Sequence, residues 1–209
     1  MGSLKPIRVL CADDHALIRD GVCFALQEIP DIKLVAEAED GIAAVEAFRI
    51  HQPDVVLMDL QMPRLSGIDA LVAIRELDPK AKCIVLTTYE GDAQASRALK
   101  AGAMGYLLKK MLRKSLVETI RAVYAGNKCV PREVALDIAE HLGVEDLSDR
   151  EVEVLRSVAA GCSNKIVADR LSISENTVKG HLKSIVAKLQ ASDRTHAVQI
   201  AMKRGYFDI

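Results

Sequence analysis

Five short apolar runs, separated by longer segments of helical period, constrain the fold of the first 125 residues more than any other feature. The runs are Ile7–Ala12, Lys33–Ala38, Val55–Met58, Cys83–Thr87 and Gly105–Leu108. The helical segments that follow them are Ala16–Gln27, Ile42–His51, Ile68–Leu77, Ala93–Ala101 and Ser115–Ala125. Five strand–helix units in succession predict an α/β fold with a five-stranded, parallel, doubly wound sheet.

Polar side chains stand at the carboxyl ends of four of these runs. Asp13 and Asp14 follow the first run, and Asp59 follows the third. Thr87 ends the fourth, and Lys109 follows the fifth. Because the carboxyl ends of parallel strands meet at one edge, where open α/β sheets bind ligands, we expect these side chains to converge. A turn cap explains any one of them alone, but it explains the joint placement poorly.

The chemistry of this set suits phosphoryl transfer. Three adjacent carboxylates repel one another unless a cation neutralises them, and hard oxygen ligands favour Mg²⁺. An Asp oxygen can attack phosphorus directly, while Mg²⁺ and Lys109 bind phosphoryl oxygens and Thr87 donates a hydrogen bond. The sequence therefore predicts Mg²⁺ as the cofactor of a phosphoryl site.

The alternating pattern ends near Gly126, and helices alone are predicted after it. We divide the chain into an α/β domain of residues 1–126, a linker of residues 127–146 and a small all-α domain of four helices over residues 147–209. The expected helix caps are Ser148 (in a capping box with Glu151), Ser163, Ser174, and Ser192 or Asp193.

Charge is unevenly distributed along the chain, although the formal net charge is −1. Residues 131–160 carry 3 basic and 8 acidic groups, whereas residues 161–204 carry 8 basic and 3 acidic groups. A basic segment of this kind favours an anionic partner, and an ordinary solvated helical surface is the alternative.

Neither the cysteines nor the apolar runs indicate an extracellular or membrane protein. The five cysteines are scattered without a CxxC spacing, so neither a disulfide framework nor a zinc site is predicted. No apolar run approaches 18 residues, and the first residues lack the apolar core of a signal peptide. We expect a cytoplasmic protein with no membrane partner.

Four motifs of the first domain together resemble the receiver domain of two-component response regulators. They are ADDH, VLMDLQMPRLSG, IVLTTY and AGAMGYLLKK, in order and at the usual spacing. The resemblance implies a flavodoxin-like fold in which Asp59 is the phosphoacceptor and a sensor histidine kinase is the donor. It also implies Mg²⁺ ligands at Asp13, Asp14, Asp59 and the backbone carbonyl of Gln61, with Thr87 and Lys109 on the phosphoryl group.

Tyr106 matches the position of this family's switch aromatic. Its ring would move inward when Thr87 turns toward the phosphoryl group, which would shift the population between two packings. Packing of a strand aromatic on a helix is the alternative. The sequence departs from many receivers at Lys110, where they carry a proline after a cis bond. A cis Lys109–Lys110 bond would cost about 2.5–4 kcal/mol.

Residues 147–206 resemble the LuxR-type helix-turn-helix of the NarL/FixJ branch of response regulators. The motifs are LSDREVEVL, AAGCSNKIVADRLSISENTVKGHLKSIVAKL and DRTHAV. A helix over Glu175–Leu189 places Val178, Leu182, Ile185 and Leu189 on one stripe, which is expected to pack on Ile166, Val167, Leu171 and Ile173.

The opposite face of that helix is small at its centre and basic or hydroxylic at its rims. Such a face suits the major groove of double-stranded DNA, and a solvated basic helix is the alternative. The candidate DNA contacts are Asn164, Lys165, Asn176, Thr177, Lys179, Gly180, His181, Lys183 and Lys188. Lys179 and Lys183 would carry most base contacts. Gly180 costs about 1 kcal/mol against Ala inside a helix, and we interpret it as permitting close approach to the bases.

These features predict a transcriptional regulator that phosphorylation of Asp59 controls. The resemblance implies a homodimer when active, to which His196–Met202 contributes, although this segment is explained equally well by packing within one chain. A DNA-binding protein whose receiver serves only dimerisation is an alternative. A phosphatase of the haloacid dehalogenase type is another, disfavoured because Gln61 replaces the acid that such enzymes need. We expect no enzyme activity beyond the phosphorylation and dephosphorylation of Asp59.

Overall fold

A computed structural model describes residues 5–88, 91–140 and 145–207 of the chain. It divides into two compact units, one containing the five strands and the other containing the helices that follow residue 148. Within the described ranges, no helix is both long enough and apolar enough to cross a membrane.

The first unit is built on a five-stranded parallel sheet of order β2-β1-β3-β4-β5. The strands are β1 Ile7–Ala12, β2 Ile32–Ala38, β3 Val55–Asp59, β4 Cys83–Thr87 and β5 Gly105–Leu108. Every residue of β3, β4 and β5 is buried, so both faces of the sheet are covered. The predicted doubly wound α/β fold is confirmed, and each strand begins and ends within one residue of its predicted bounds.

Five helices accompany the sheet. They are α1 Ala16–Gln27, α2 Gly41–His51, α3 Gly67–Leu77, α4 Asp92–Lys100 and α5 Leu112–Tyr124. Helix α5 begins three residues before the predicted Ser115, because a 3₁₀ turn over Lys109–Met111 leads directly into it. The described residues contain no cis peptide bond, so Lys109 and Lys110 are joined by a trans bond.

The predicted linker contains regular structure. Cys129 lies beside β5, where its N–H donates to the carbonyl of Met104 and its carbonyl accepts from the N–H of Tyr106, both at 2.8 Å. This pairing covers part of an edge strand that would otherwise expose its backbone groups. Helix α6 follows over Arg132–Glu140, and residues 141–144 of the linker lie outside the described residues.

Four helices follow residue 148 in the described part of the second unit, as predicted. They are α7 Asp149–Ala159, α8 Asn164–Leu171, α9 Glu175–Lys188 and α10 Arg194–Lys203. Their caps are Ser148, Ser163, Ser174 and Asp193, and the capping box of Ser148 with Glu151 is present. The chain therefore places each helix start where a side-chain oxygen can accept an orphan backbone N–H.

The predicted stripe of α9 packs inward, with one correction on its partner helix. Val178, Ile185 and Leu189 are buried together with Val167 of α8. Ile166 was predicted to join them but is 49% exposed. Val167 and Ala168 form the buried face of α8, and Ile166 therefore lies on the solvent side.

Candidate functional sites

An acidic cluster lies at the carboxyl ends of β1 and β3. Asp13 is fully buried and Asp59 is 3% exposed, whereas Asp14 is exposed. One ligand atom from each of these carboxylates and from His15 lies within 4.8 Å of the others. The structure thus brings together three carboxylates that the sequence placed after two different strands.

Lys109 bridges the two buried carboxylates. Its Nζ lies 2.7 Å from Oδ2 of Asp13 and donates to Oδ2 of Asp59 at 2.8 Å. Three carboxylates beside one ammonium leave two negative charges uncompensated when Asp14 is counted. That excess is the charge of one divalent cation, and carboxylate oxygens are the donors that Mg²⁺ prefers.

The surroundings raise the pKa values of both Asp59 and Lys109, for different reasons. Burial raises the pKa of Asp59, and the charge of Asp13 adds to it, while hydrogen bonds from Lys109 and the Gln61 N–H only partly oppose the rise. Burial lowers the pKa of Lys109, but its hydrogen bonds to Asp13 and Asp59 outweigh burial and raise it. Lys109 is therefore a fixed cation near neutral pH. Additional positive charge near Asp59 would favour the ionised form of its carboxyl group.

Residues at the start of α1 hold Asp13 in place. The backbone N–H of His15 donates to Oδ1 of Asp13 at 2.9 Å, and Arg19 donates to the carbonyl of Asp13 at 2.6 Å. The His15 ring is 66% exposed, and its Nδ1 lies 2.7 Å from Oδ1 of Asp14. His15 is the residue that immediately precedes α1. The support from Arg19 was missed, because nothing in its helical spacing indicates a contact with the preceding loop.

Thr87 and Tyr106 lie on the same face of neighbouring strands. Thr87 pairs with Leu108 in the β4–β5 register, and Tyr106 stands two residues before Leu108 on β5. Because strand side chains alternate with a period of two, Thr87 and Tyr106 project from one side of the sheet. Both are buried, at 2% and 1% exposure. The structure therefore buries both predicted switch residues on one face of the sheet.

A glycine fixes the loop that follows Asp59. The N–H of Gly67 donates to the carbonyl of Leu60 at 3.0 Å. A Cβ at Gly67 would lie 1.8 Å from the carbonyl oxygen of Asp59, so no larger residue fits there. The backbone of Asp59 and the start of α3 are thereby held in close contact.

In the second unit, α8 and α9 form a helix-turn-helix with a three-residue turn. Ser172 ends α8 in the left-handed region with a φ of 53°. Ser174 then starts α9, accepting a hydrogen bond from the N–H of Thr177 at 3.0 Å. The local chemistry of the two serines thus sets the angle at which α9 leaves the turn.

Most of the predicted DNA contacts are exposed on these two helices. The exposed ones are Lys165, Asn176, Thr177, Lys179, Gly180 and Lys183. Asn164 and His181 are half-buried. A Cβ at Gly180 would meet no heavy atom within 4 Å among the described residues, apart from the backbone of its own helix. The centre of the outer face of α9 is therefore open to a large partner.

Lys188 differs from the other predicted contacts, because it is paired within the unit. Its Nζ lies 3.0 Å from Oε2 of Glu151 and 3.0 Å from Oε1 of Glu145. Ser184 donates to Oε1 of Glu151 at 2.6 Å, so two residues of α9 bind one carboxylate of α7. Lys188 therefore anchors the helix, and Lys179 and Lys183 carry the solvent-facing charge of α9.

Glu151 has a second role that sequence reasoning missed. Burial raises its pKa, yet hydrogen bonds from Ser184, Ser148 and Lys188 outweigh burial and hold the pKa at about 2. The capping box was visible in the SDRE motif, but the contact with α9 depends on how two distant helices pack. We find no sequence signal that would have revealed it.

Two family models match the chain, one for each unit. Residues 9–121 match the response regulator receiver domain, and residues 145–201 match the bacterial regulatory proteins of the luxR family. The two matches follow in the order that the sequence motifs predicted.

Relatives are similar over almost the whole chain. The uncharacterized transcriptional regulatory protein YxjL of Bacillus subtilis (strain 168) is 38% identical over 211 residues, which cover 95% of this chain and 96% of YxjL. The nitrate/nitrite response regulator protein NarP of Escherichia coli (strain K12) is 36% identical over 211 residues, covering 98% of each. Each likeness therefore extends across both units of the chain.

A solved structure shows the same architecture. RcsB from Salmonella enterica serovar Typhimurium, bound to promoter rprA in the presence of phosphomimetic BeF3−, matches with a TM-score of 0.68 at 27% identity. The match covers 94% of this chain and 98% of the RcsB chain. The likeness therefore includes both the unit with the acidic cluster and the unit with the helix-turn-helix.

Proposed function

This chain belongs to the NarL/FixJ-type response regulators, and from that membership we propose that it is a DNA-binding transcriptional regulator controlled by phosphorylation of Asp59. The observation that carries the proposal is the position of Lys109, whose Nζ lies within 2.8 Å of carboxylate oxygens of both Asp13 and Asp59. A buried cation at this point can bind the oxygens of a phosphoryl group attached to Asp59.

The proposed reaction transfers a phosphoryl group from a phosphohistidine of a sensor histidine kinase. A carboxylate oxygen of Asp59 attacks the phosphorus atom, and a new O–P bond forms as the N–P bond breaks. The electron pair of the broken bond remains on the departing imidazole. Lys109 exchanges its hydrogen bond to the Asp59 carboxylate for one to a phosphoryl oxygen, and the hydroxyl of Thr87 donates to another.

The donor set of the site fits Mg²⁺. Asp13, Asp14 and Asp59 each offer a carboxylate oxygen within the 4.8 Å cluster, and Gln61 would add its backbone carbonyl. When bound, Mg²⁺ would neutralise the excess negative charge and polarise the phosphoryl oxygens. The residues of the chain supply the ligands and keep the nucleophilic carboxylate beside them.

We propose that Thr87 and Tyr106 transmit the change. Once Thr87 donates to the phosphoryl group, the space that it leaves favours an inward position of the Tyr106 ring. Two packings that differ by a few kcal/mol are enough for such a ligand to shift the population. The position of Thr87 and Tyr106 on the same face of the sheet, on neighbouring strands, supports this coupling.

The partner of the second unit is proposed to be double-stranded DNA, bound by a homodimer. Lys179 and Lys183 are exposed on the outer face of α9, with Gly180 between them. Lysines so placed contact phosphates or guanine edges in a major groove. A dimer would bind two half-sites about 10 base pairs apart. The complex of RcsB with promoter rprA supports the proposal by similarity.

The proposal is tested by measuring the DNA affinity and the mass of the protein in solution, with and without beryllofluoride and Mg²⁺. We expect beryllofluoride to increase both the dimer fraction and the affinity for DNA. Equal affinity in both states would support the alternative in which the receiver serves dimerisation alone.

Asp59→Asn tests the phosphoacceptor directly. This variant should take up no phosphoryl group from acetyl phosphate with Mg²⁺, as read by intact-protein mass spectrometry. Asp54→Asn is the matched control, because Asp54 immediately precedes β3, at the end of the strand opposite Asp59. Phosphorylation of the Asp59→Asn protein at the wild-type level would refute the assignment.

A further inference from the structure

The loop between β3 and α3 turns sharply at Arg64. The N–H of Leu65 donates to the carbonyl of Pro63 at 2.7 Å, and Arg64 between them has a φ of 67°. This is a γ-turn whose central residue lies in the left-handed region, a strained conformation that residues other than glycine seldom adopt. Strain of this kind persists only where surrounding contacts hold it.

The side chain of Arg64 supplies such contacts. Its guanidinium forms an ion pair with Asp40 and lies 3.7 Å from Oε1 of Glu39. Asp40 is fully buried and caps α2, where it accepts a hydrogen bond from the N–H of Ala43 at 2.8 Å. Arg64 thus provides the opposite charge for a buried carboxylate that is itself fixed to a helix end.

Two glycines bring the backbone of this loop close to its surroundings. A Cβ at Gly41, the first residue of α2, would lie 2.3 Å from the carbonyl oxygen of Leu65. A Cβ at Gly67 would lie 1.8 Å from the carbonyl oxygen of Asp59. The loop is therefore fixed against α2 on one side and against the phosphoacceptor on the other.

We infer that Arg64 and Asp40 are a positioning pair for the metal site, whose ion pair holds the β3–α3 loop so that the backbone carbonyl of Gln61 could serve as a ligand of Mg²⁺. The inference rests on the proposed function of Asp59. The loop and the carboxylate are already coupled, because the N–H of Gln61 donates to Oδ1 of Asp59 at 3.3 Å. Arg64 acts through the loop backbone, so its loss affects the affinity for Mg²⁺ and the rate of phosphoryl uptake.

The test measures Mg²⁺ binding to the full-length protein by isothermal titration calorimetry. Arg64→Gly accepts the left-handed backbone but removes the charge, and Asp40→Asn keeps an oxygen for the cap but also removes the charge. Each should weaken Mg²⁺ binding by about 10-fold, the lower end of the effect that loss of an outer-shell contact has on metal affinity, because the pair acts through the loop backbone. Arg64→Lys keeps the charge and should stay close to the wild type.

The double variant Arg64→Gly with Asp40→Asn should bind Mg²⁺ no more weakly than either single variant, because both remove one interaction. Arg49→Ala is the matched control. It removes an exposed arginine that pairs with Glu46 at 2.8 Å on the same helix α2, and it should leave Mg²⁺ affinity unchanged.

Three outcomes distinguish the inference from the function on which it rests. Weaker binding in both charge-removing variants, with rescue by Arg64→Lys, supports the pair. If both variants bind Mg²⁺ like the wild type and only their thermal stability changes, Arg64 and Asp40 are structural and the inference is wrong. Wild-type protein that takes up no phosphoryl group from acetyl phosphate would overturn the proposed function together with the inference.

Discussion

The two units of the molecule hold the charges of their candidate sites in opposite ways. In the α/β unit, Asp13, Asp59 and Lys109 come from three strand ends and are buried against one another. On α9, Lys179 and Lys183 stand on one helix with their charges in solvent. Buried charges interact strongly over short distances, whereas exposed charges are screened by salt. A single substitution should therefore impair the first site severely but weaken the second to a smaller extent.

The largest effect is expected at Lys109, where removal of the cation tests whether the buried site acts as one unit. Lys109→Ala should slow phosphoryl uptake from acetyl phosphate by about 100-fold to 1,000-fold, because preorganised charge next to the transferred group is lost. Mass spectrometry of samples quenched at successive times gives the rate. Lys110→Ala, next along the chain and exposed, should be close to wild type. Rates for Lys109→Ala within a few-fold of wild type would show that the buried cation is dispensable.

Glu151 tests the comparison further, because it is a buried charge in the unit whose candidate DNA contacts, Lys179 and Lys183, are exposed. Its pKa of about 2 lies below the ordinary value of 4.5, so the carboxylate stabilises the folded state. That contribution is fully present above pH 4.5 and is lost as the pH falls toward 2. A difference of this size between the folded and unfolded pKa values corresponds to at most about 3 kcal/mol of folding stability.

Substitution of Glu151 separates this anchor from the surface charges around it. Glu151→Gln should lower the free energy of unfolding and remove the acid-dependent part of it, as followed by urea denaturation with far-ultraviolet circular dichroism at several pH values. Glu153→Gln is the control, because the exposed side chain of Glu153 pairs with Arg150 at the surface. An identical acid profile for wild type and Glu151→Gln would show that another group causes the acid sensitivity.

The contrast between the units also explains what could be predicted from the sequence. The acidic site follows from topology, because parallel strands bring their carboxyl ends to one edge of the sheet. The polar residues at the end of each apolar run can be read directly from the sequence. The outer face of α9 follows from helical period alone. The anchor of Lys188 on Glu151 and the ion pair of Arg64 with Asp40 escaped, because each joins side chains from elements whose packing the local pattern does not specify.

Lys183 should show the graded behaviour of an exposed charge. Lys183→Ala should weaken DNA binding by about 1–3 kcal/mol and relax specificity at one base position if the lysine contacts a guanine. If it contacts a phosphate, the loss should be uniform across sequences and the slope of log affinity against log salt should fall by about 1. Fluorescence anisotropy at several salt concentrations separates these outcomes. Lys203→Ala, at the exposed end of α10, is the control.

Gly180 gives the smallest effect and tests how closely α9 approaches its partner. Gly180→Ala should raise the free energy of unfolding by up to about 1 kcal/mol, because the position is helical and a Cβ there meets no neighbour within 4 Å among the described residues. In the free protein the methyl group therefore adds stability without a clash. On DNA, the same methyl group would lie between Lys179 and Lys183 and hold the helix away from the bases. Greater stability combined with weaker and less specific DNA binding supports close approach, whereas unchanged affinity and specificity would refute it.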